Sequence, residues 1–250
     1  MTDTLDAKRV RQLLSEMATD LDCQGLSITL RIVGGAALLL QDIIERSTLD
    51  VDAAYQHPVQ VQEAVLRVAQ RHRLPADWLN DRSSAFLPEQ QDWLPWFTVG
   101  TVSIEVASPR MLLAMKIASA RSKDVDDILA LVRCLGITDP EAAARIAYAM
   151  YGEESLTLPD PWPDRALFMQ AIMVTSPEDS NPAADAGQRG LSMATQIKAA
   201  RKRAGLSQTE LADVAGLSRP TVARIEAGQD VSWSSLTKVA DALGLHPRLG

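Results

Sequence analysis

Hydrophobic residues recur along the chain with two different periods, and each period predicts one type of element. Apolar side chains spaced three or four residues apart, or in longer runs, predict helices at 5–21, 36–44, 59–69, 139–151 and 165–174. Alternating or short continuous apolar runs predict strands at 27–33, 46–52 and 98–107. Tryptophans outside these segments could stack on a base or fill the core: Trp93, Trp96 and Trp162.

The stretch 46–52 carries two carboxylates on what we predict to be a single strand. Successive side chains of a strand point to opposite faces, so Asp50 and Asp52 should project together. The alternate positions should face the core: Leu49, Val51 and Ala53. Two carboxylates at this spacing can hold a hard divalent cation such as Mg²⁺ against a substrate phosphate. The stretch therefore predicts a metal site.

A glycine pair precedes these carboxylates in the chain. Gly34 and Gly35 fall at the turn between the strand predicted at 27–33 and the helix predicted at 36–44. Glycines at such a turn let backbone amides approach a phosphate. The order of the two features, first the glycines and then the acids, favours a site for a phosphorylated substrate.

Further charged residues follow on the predicted strand 98–107 and on the helix after it. Glu105 could join the pair as a third carboxylate or could be an exposed strand residue. Lys116 lies in an apolar helix, and one continuous helix would place Lys123 and Asp127 near the same face. Such a strip could hold a triphosphate, or it could be a surface ion-pair ladder of little energetic value.

The net charge of −7 is unevenly distributed along the chain. From Arg189 onward nine Lys and Arg oppose five Asp and Glu, a net +4, which leaves 16 of the 25 bases against 27 of the 32 acids, a net −11. An acidic body with a basic tail indicates that the tail binds nucleic acid. Between them, 176–190 has turn formers and no large apolar side chain, so we predict domains at 1–175 and 191–250 joined by a linker.

Cysteine usage and hydropathy limit the class of protein. Cys23 and Cys134 match no metal or redox spacing, and we expect both to be reduced core residues. No stretch approaches the roughly 20 apolar residues of a membrane span. With 46% hydrophobic residues the chain can form a packed core, and we expect a cytoplasmic protein without membrane contact.

The tail carries the signals of two short helices joined by a tight turn. Ser207 and Glu210 form a capping box, and Gly216 ends the helix that the box begins. Ser218 then caps a second helix, with Pro220 in its first turn. This arrangement, with a polar face on the second helix, is typical of a helix that enters the major groove of DNA.

Residues 26–135 resemble the nucleotidyltransferase fold in its bacterial AbiEii-like branch, which includes abortive-infection and toxin–antitoxin enzymes. The motifs that carry the resemblance occur in this order: Gly34-Gly35, Arg46, Thr48, Asp50, Asp52, Glu105, Lys116, Arg121, Lys123, Asp124 and Asp127. The resemblance implies an α/β (α+β) domain with a small mixed sheet flanked by helices. It also implies a Mg²⁺- or Mn²⁺-dependent nucleotidyltransferase that uses an NTP.

The resemblance assigns roles to individual residues. Asp50 and Asp52, with Glu105 as a third ligand, would hold the metal, and Lys116 and Asp124 would complete the catalytic set. Six residues would bind the nucleotide: Gly34, Gly35, Arg46, Thr48, Arg121 and Lys123. The reaction would transfer a nucleoside monophosphate to a hydroxyl of an RNA or protein acceptor and release pyrophosphate.

Residues 191–245 resemble the Cro/C1-type helix-turn-helix family. By this resemblance Gln208 and Ser218 would contact the phosphate backbone of operator DNA. Arg219, Thr221 and Arg224 would face base edges, although each arginine could instead be a solvated surface charge. Such domains usually read paired half-sites, which predicts a homodimer.

Two functions follow from the combined organisation. The chain could be the enzyme of a toxin–antitoxin or phage-defence locus, acting with a cognate toxin or antitoxin and repressing its own promoter. Alternatively, it could be a transcriptional regulator whose nucleotidyltransferase-like domain is a non-catalytic sensor, dimerisation or partner-binding module.

Overall fold

Two hydrophobic clusters organise the protein. The computed structural model describes residues 4–158, 161–174, 193–227, 229, 231 and 233–244. One cluster of buried side chains draws its members from 5–172 and the other from 197–239. The linker predicted at 176–190 lies outside the described residues.

A five-stranded mixed sheet forms the centre of the first part. Its strands are β1 Ile28–Val33, β2 Val51–Ala54, β3 Leu79–Asn80, β4 Trp93–Val99 and β5 Val102–Ala107, in the order β3-β2-β1-β5-β4. The central strand β1 pairs antiparallel with β2 and parallel with β5. The predicted fold class, a small mixed sheet flanked by helices, is therefore confirmed.

Among the residues that the structure describes, seven α-helices accompany the sheet. They are α1 Ala7–Asp22, α2 Gly34–Leu40, α3 Pro58–His72, α4 Pro109–Ser119, α5 Val125–Cys134, α6 Pro140–Tyr151 and α7 Trp162–Val174. The apolar stripe of α1 is buried along its length, as its spacing predicts. On β1 and β5 alternate residues are buried, so one face of each strand contributes to the core.

The strand predicted at 98–107 is instead a hairpin. Its two strands, β4 and β5, are joined by a turn at Gly100 and Thr101, where Gly100 has a φ of 54°. The carboxylate of Asp22 accepts a hydrogen bond from the Thr101 amide at 2.7 Å and closes the turn. Pro95 lies on β4, at one edge of the sheet, next to a register shift. Proline lacks a backbone N–H and is tolerated at such edge positions.

Three other expectations from the sequence are wrong. Leu49 is 59% exposed rather than part of the core, because β2 begins only at Val51. No single helix spans 116–127, because the backbone at Ala120 is left-handed with a φ of 42° and separates α4 from α5. Both cysteines are exposed rather than buried: Cys23 and Cys134.

The second part contains four described helices, which are α8 Met193–Arg203, α9 Gln208–Ala215, α10 Arg219–Glu226 and α11 Trp233–Ala242. The predicted capping box of Ser207 and Glu210 is present in full. Gly216 ends α9 with a φ of 62°, and the Ser218 hydroxyl caps α10 by accepting from the Thr221 amide. Within the described ranges, no helix combines the length and apolar character needed to cross a bilayer.

A buried ion pair links α8 to α10. The Arg201 guanidinium donates to both carboxylate oxygens of Glu226, with 3.0 Å between Nη2 and Oε2. Burial alone would raise the pKa of Glu226, but hydrogen bonds from Arg201 and Gln208 outweigh that effect and lower it. The pair therefore stabilises this part above the ordinary pKa of a glutamate, and its contribution is lost as pH falls through the lowered pKa.

We expect Glu226→Gln to weaken the helical part at neutral pH and to flatten its response to acid. The variant leaves the Arg201 guanidinium buried without a counter-charge at every pH. Amide hydrogen exchange in α8 and α10 of the full chain, corrected for the intrinsic rate at each pH, measures both effects. Asp213→Asn, on the exposed face of α9, is the control. Identical pH profiles for Glu226→Gln and the unmodified chain would show that the Arg201–Glu226 ion pair does not stabilise this part.

Candidate functional site

A cleft of about 880 Å³ brings together the residues that the sequence predicts for catalysis and nucleotide binding. It lies where β1 passes into α2 and where the chain enters β2. All ten predicted residues of these two classes line it: Gly34, Gly35, Arg46, Thr48, Asp50, Asp52, Lys116, Arg121, Lys123 and Asp124. Residues far apart in sequence thus share one concave surface of the size that small ligands use.

The glycine turn packs directly against the second carboxylate. Gly34 has a φ of 64°, and a Cβ at this position would lie 2.8 Å from Oδ2 of Asp52. A Cβ at Gly35 would lie 3.3 Å from Oγ1 of Thr48. At Gly34 both the backbone conformation and the space therefore call for glycine, whereas at Gly35 the space is only tight. The backbone of the turn lies against the carboxylate of Asp52.

Two residues that the sequence did not single out hold the carboxylate pair. The Asn80 side-chain amide donates to Oδ2 of Asp50 at 3.3 Å. Ser83 forms a hydrogen bond with Asp52. Burial and the charge of Asp50 raise the pKa of Asp52, and the bond from Ser83 opposes that rise only in part. A cation between the two acids would relieve their mutual repulsion.

A second charged group lies on the wall formed by α4 and α5. Asp127 has no exposed side-chain surface, and its carboxylate oxygens accept from Nη2 of Arg46 at 2.6 and 2.7 Å. Nζ of Lys116 contacts Oδ2 of Asp127 at 2.9 Å and also donates to Asp124. Ser119 donates to the other oxygen of Asp124 at 3.1 Å. This is a buried network and not the surface ladder considered from the sequence.

Basic side chains of this network and of the segment next to it line the cleft. An ammonium group has three N–H donors, and Lys116 uses one on each of two carboxylates. The Arg46 side chain is 54% exposed although its Nη2 is anchored on Asp127. Arg121 and Lys123 are exposed and line the same cleft. We call the side chains of Arg46, Lys116, Arg121 and Lys123 the basic wall. Together with the Asp50–Asp52 pair in the same cleft, they are suited to a metal-bound phosphate chain.

Glu105 does not join the carboxylate pair. In the sheet register Glu105 is opposite Arg31 of β1, whereas Asp52 is opposite Val33, two residues further along. The Arg31 Nε contacts Oε2 of Glu105 at 2.9 Å, and Glu105 is absent from the lining of the cleft. The described residues contain no group of three or more His, Cys, Asp and Glu arranged to hold a metal. The structure thus places Glu105 with Arg31 and not with the two acids to which the prediction joined it.

The three tryptophans considered for base stacking lie outside the cleft lining. Each packs against an arginine instead, with guanidinium-to-ring distances of 5.3–5.5 Å: Trp93 with Arg31, Trp96 with Arg11 and Trp162 with Arg145. Trp93 and Trp96 are partly buried against the core, which supports the second alternative for these two side chains, whereas Trp162 is 41% exposed.

The predicted DNA-contacting residues lie on α10 and at the start of α9. Arg219 and Arg224 are exposed on α10, while Thr221 is half-buried and shares a hydrogen bond of 2.8 Å with the Ser218 hydroxyl. Gln208 donates to Glu226 at 2.9 Å, so its side chain is anchored on α10. The second helix of the motif therefore presents both of its arginines to solvent.

These features define a protein with a nucleotidyltransferase-like domain and a helix-turn-helix DNA-binding domain. Residues 8–148 match the family model described as "Nucleotidyltransferase of unknown function (DUF6036)", and residues 197–249 match the model described as "Helix-turn-helix". The first match covers more than half of the chain, and the protein belongs to the DUF6036 family. The fusion predicted from the sequence is confirmed. Neither the curated proteins nor the solved structures contain a significant match.

We expect Asp127→Asn to lower the free energy of unfolding of the full chain by about 3–5 kcal/mol, because it removes the buried counter-charge of Arg46 and Lys116. Urea unfolding of the first part, followed by tryptophan fluorescence, measures the change. Asp126→Asn removes the same charge from the exposed neighbouring position of α5 and should change stability little. Equal effects of the two substitutions would show that the network does not stabilise the fold.

Proposed function

We propose that this protein transfers a nucleoside monophosphate from an NTP to a hydroxyl of an RNA or protein acceptor, and that its helix-turn-helix domain represses its own promoter. In this proposal it belongs to a toxin–antitoxin or phage-defence locus and acts with a cognate toxin or antitoxin. The single observation that carries the enzymatic part is the cleft, which has the glycine turn, the Asp50–Asp52 pair and the basic wall on one surface.

The carboxylate pair fits a divalent cation. Mg²⁺ is commonly bound by one or two carboxylates together with substrate phosphates, and carboxylate oxygens also suit Mn²⁺. Asp50 and Asp52 supply the two carboxylates, and the pKa of Asp52 is raised first by burial and then by the charge of Asp50, which acts on it within the same cleft. A bound ion at this pair supplies charge neutralisation of the phosphates and a lower pKa for the attacking hydroxyl.

The chain's own residues divide the remaining tasks. The amides of Gly34 and Gly35 approach the phosphates, because no side chain stands between this turn and Asp52. Lys116, Arg121 and Lys123, with Arg46, bind the triphosphate and balance the charge that shifts to the leaving pyrophosphate. Asp124 holds the Lys116 ammonium, and Thr48 donates to the Asp50 carbonyl at 3.1 Å and so shapes the loop before β2.

The regulatory part of the proposal rests on α10. Arg219 and Arg224 stand on its exposed face, where an arginine can grip O6 and N7 of guanine from the major groove. Ser218 and Gln208, at the starts of α10 and α9, contact the operator backbone. A homodimer would place two such helices in paired half-sites.

A second candidate function has an observation in its favour. Lys116 is held by two carboxylates, and Glu105 is turned to Arg31 instead of the metal pair. A site with two acids and a restrained lysine suits a domain that binds a nucleotide without turning it over. The protein would then be a transcriptional regulator with a nucleotide-sensing, dimerisation or partner-binding domain.

Label transfer distinguishes the two functions. The purified chain is incubated with Mg²⁺ or Mn²⁺, each labelled NTP, and total RNA or cell extract. We expect transfer that disappears in Asp50→Ala/Asp52→Ala, because that variant lacks both metal-binding carboxylates, and that persists in the exposed control Asp126→Ala. Nucleotide binding without transfer supports the sensor, and absence of both contradicts the proposal.

Footprinting on the protein's own promoter tests the groove assignment. We expect Arg219→Ala to weaken binding by about 1–3 kcal/mol and to relax the base preference at one position, because a bidentate contact is lost. Arg110→Ala removes the same charge from an exposed position on α4 and serves as the control. Unchanged affinity and preference in Arg219→Ala would show that α10 does not enter the groove as proposed.

A further inference from the structure

Large exposed apolar side chains are concentrated at the cleft. Among the described residues nine large hydrophobic side chains are exposed, and three of them, Leu49, Phe86 and Leu156, line the cleft that contains Asp50 and Asp52. We propose that Phe86 is the platform on which the base of the bound nucleotide stacks, and that Leu156 of the same cleft lining adds apolar surface. This inference rests on the proposed function, because it assumes that the phosphates lie at the carboxylate pair.

Phe86 is displayed from a fixed backbone. It ends the short 3₁₀ turn Ser84–Phe86, and its amide donates to the Ser83 carbonyl at 3.0 Å. Its carbonyl accepts from the buried Tyr151 hydroxyl at 2.6 Å, which ties the turn to α6. The ring nevertheless remains 57% exposed. The backbone that carries the ring is therefore ordered before a ligand binds, which lowers the entropic cost of stacking.

The segment that displays the ring also holds the metal-binding acids. Asn80 donates to Asp50 and accepts from the Arg82 amide at 3.1 Å. Ser83 forms its hydrogen bond with Asp52 just before the turn that ends at Phe86. The carboxylate pair and the aromatic ring are therefore linked through one segment of the cleft lining, and in this proposal a nucleotide anchored at the acids places its base on the ring.

The chemistry of the cleft indicates which ligand would cover Phe86 and Leu156. Its basic residues, Lys116, Arg121 and Lys123 among them, suit phosphates, while Phe86 and the 96% exposed Leu156 suit a flat apolar surface. A nucleotide has both components, with a base whose face stacks on aromatic rings whatever its identity. The wall places no charged side chain next to Phe86 within the turn, so stacking should support all four bases.

Binding measurements with two probes separate the base from the phosphates. Titration calorimetry of the full chain with Mg²⁺ compares ATP, GTP, CTP and UTP with inorganic tripolyphosphate. We expect the NTPs to bind the unmodified chain more tightly than tripolyphosphate does. Phe86→Ala should lower NTP affinity about tenfold and leave tripolyphosphate affinity unchanged, and Phe86→Trp should restore NTP affinity. Val59→Ala, which shortens an exposed side chain on α3 outside the cleft, should change neither affinity.

The outcomes separate this inference from the proposed function. If the unmodified chain binds NTPs and Phe86→Ala binds them equally well, the platform is wrong while the nucleotide site stands; a polypeptide partner would then be the occupant of the apolar side. If Phe86→Ala loses affinity for NTPs and for tripolyphosphate equally, the stacking platform is also wrong, because the substitution then affects the cleft in general. If the unmodified chain binds neither probe, the proposed function fails, and the platform fails with it.

Discussion

The cleft depends on a carboxylate that solvent does not reach. Asp127 accepts from Arg46, which precedes β2, and contacts Lys116 of α4, so one side chain of α5 joins three separate segments. A buried charge of this kind is tolerated only when its partners are in place, and each partner is in turn held in position by it. The basic wall therefore has a fixed geometry before any ligand arrives.

The four acids at and beside the cleft have different partners. Asp124 and Asp127 are balanced by Lys116 and Arg46 through direct contacts. Asp50 and Asp52 form hydrogen bonds with the neutral side chains of Asn80 and Ser83. Burial and the charge of Asp50 raise the pKa of Asp52, and the charges of Lys116 and Arg82 oppose that rise only in part. The acid pair can bind a cation, and the exposed side chains of Arg121 and Lys123 in the same cleft can contact an anion, an arrangement that suits a metal-bound phosphate.

Much of this site could be predicted from the sequence because its key signals are local. A short stretch of sequence is enough to interpret glycines at a strand-to-helix turn or acids two residues apart. The structure places both pairs in one cleft. The capping box and the Ser218 cap are equally local, and both are present. Lys116 and Asp127 also meet, although a break at Ala120 replaces the continuous helix from which their proximity was predicted.

The parts that could not be predicted depend on pairing and on unpatterned segments. Glu105 is removed from the acid pair by the register of β5 on β1, which the alternation of a single strand does not reveal. Asn80, Ser83 and Phe86 fall in a segment without hydrophobic period, and their roles arise only from contacts with β2 and α6. The left-handed conformation of Ala120 likewise has no sequence signal, because glycine is the residue expected there.

The most direct test of the central claim is anomalous scattering from crystals grown with Mn²⁺ and an NTP. The account predicts one manganese peak between Asp50 and Asp52, in contact with carboxylate and phosphate oxygens, and a phosphate chain directed toward Lys116. Manganese bound elsewhere, or a nucleotide seated away from this cleft, would contradict it.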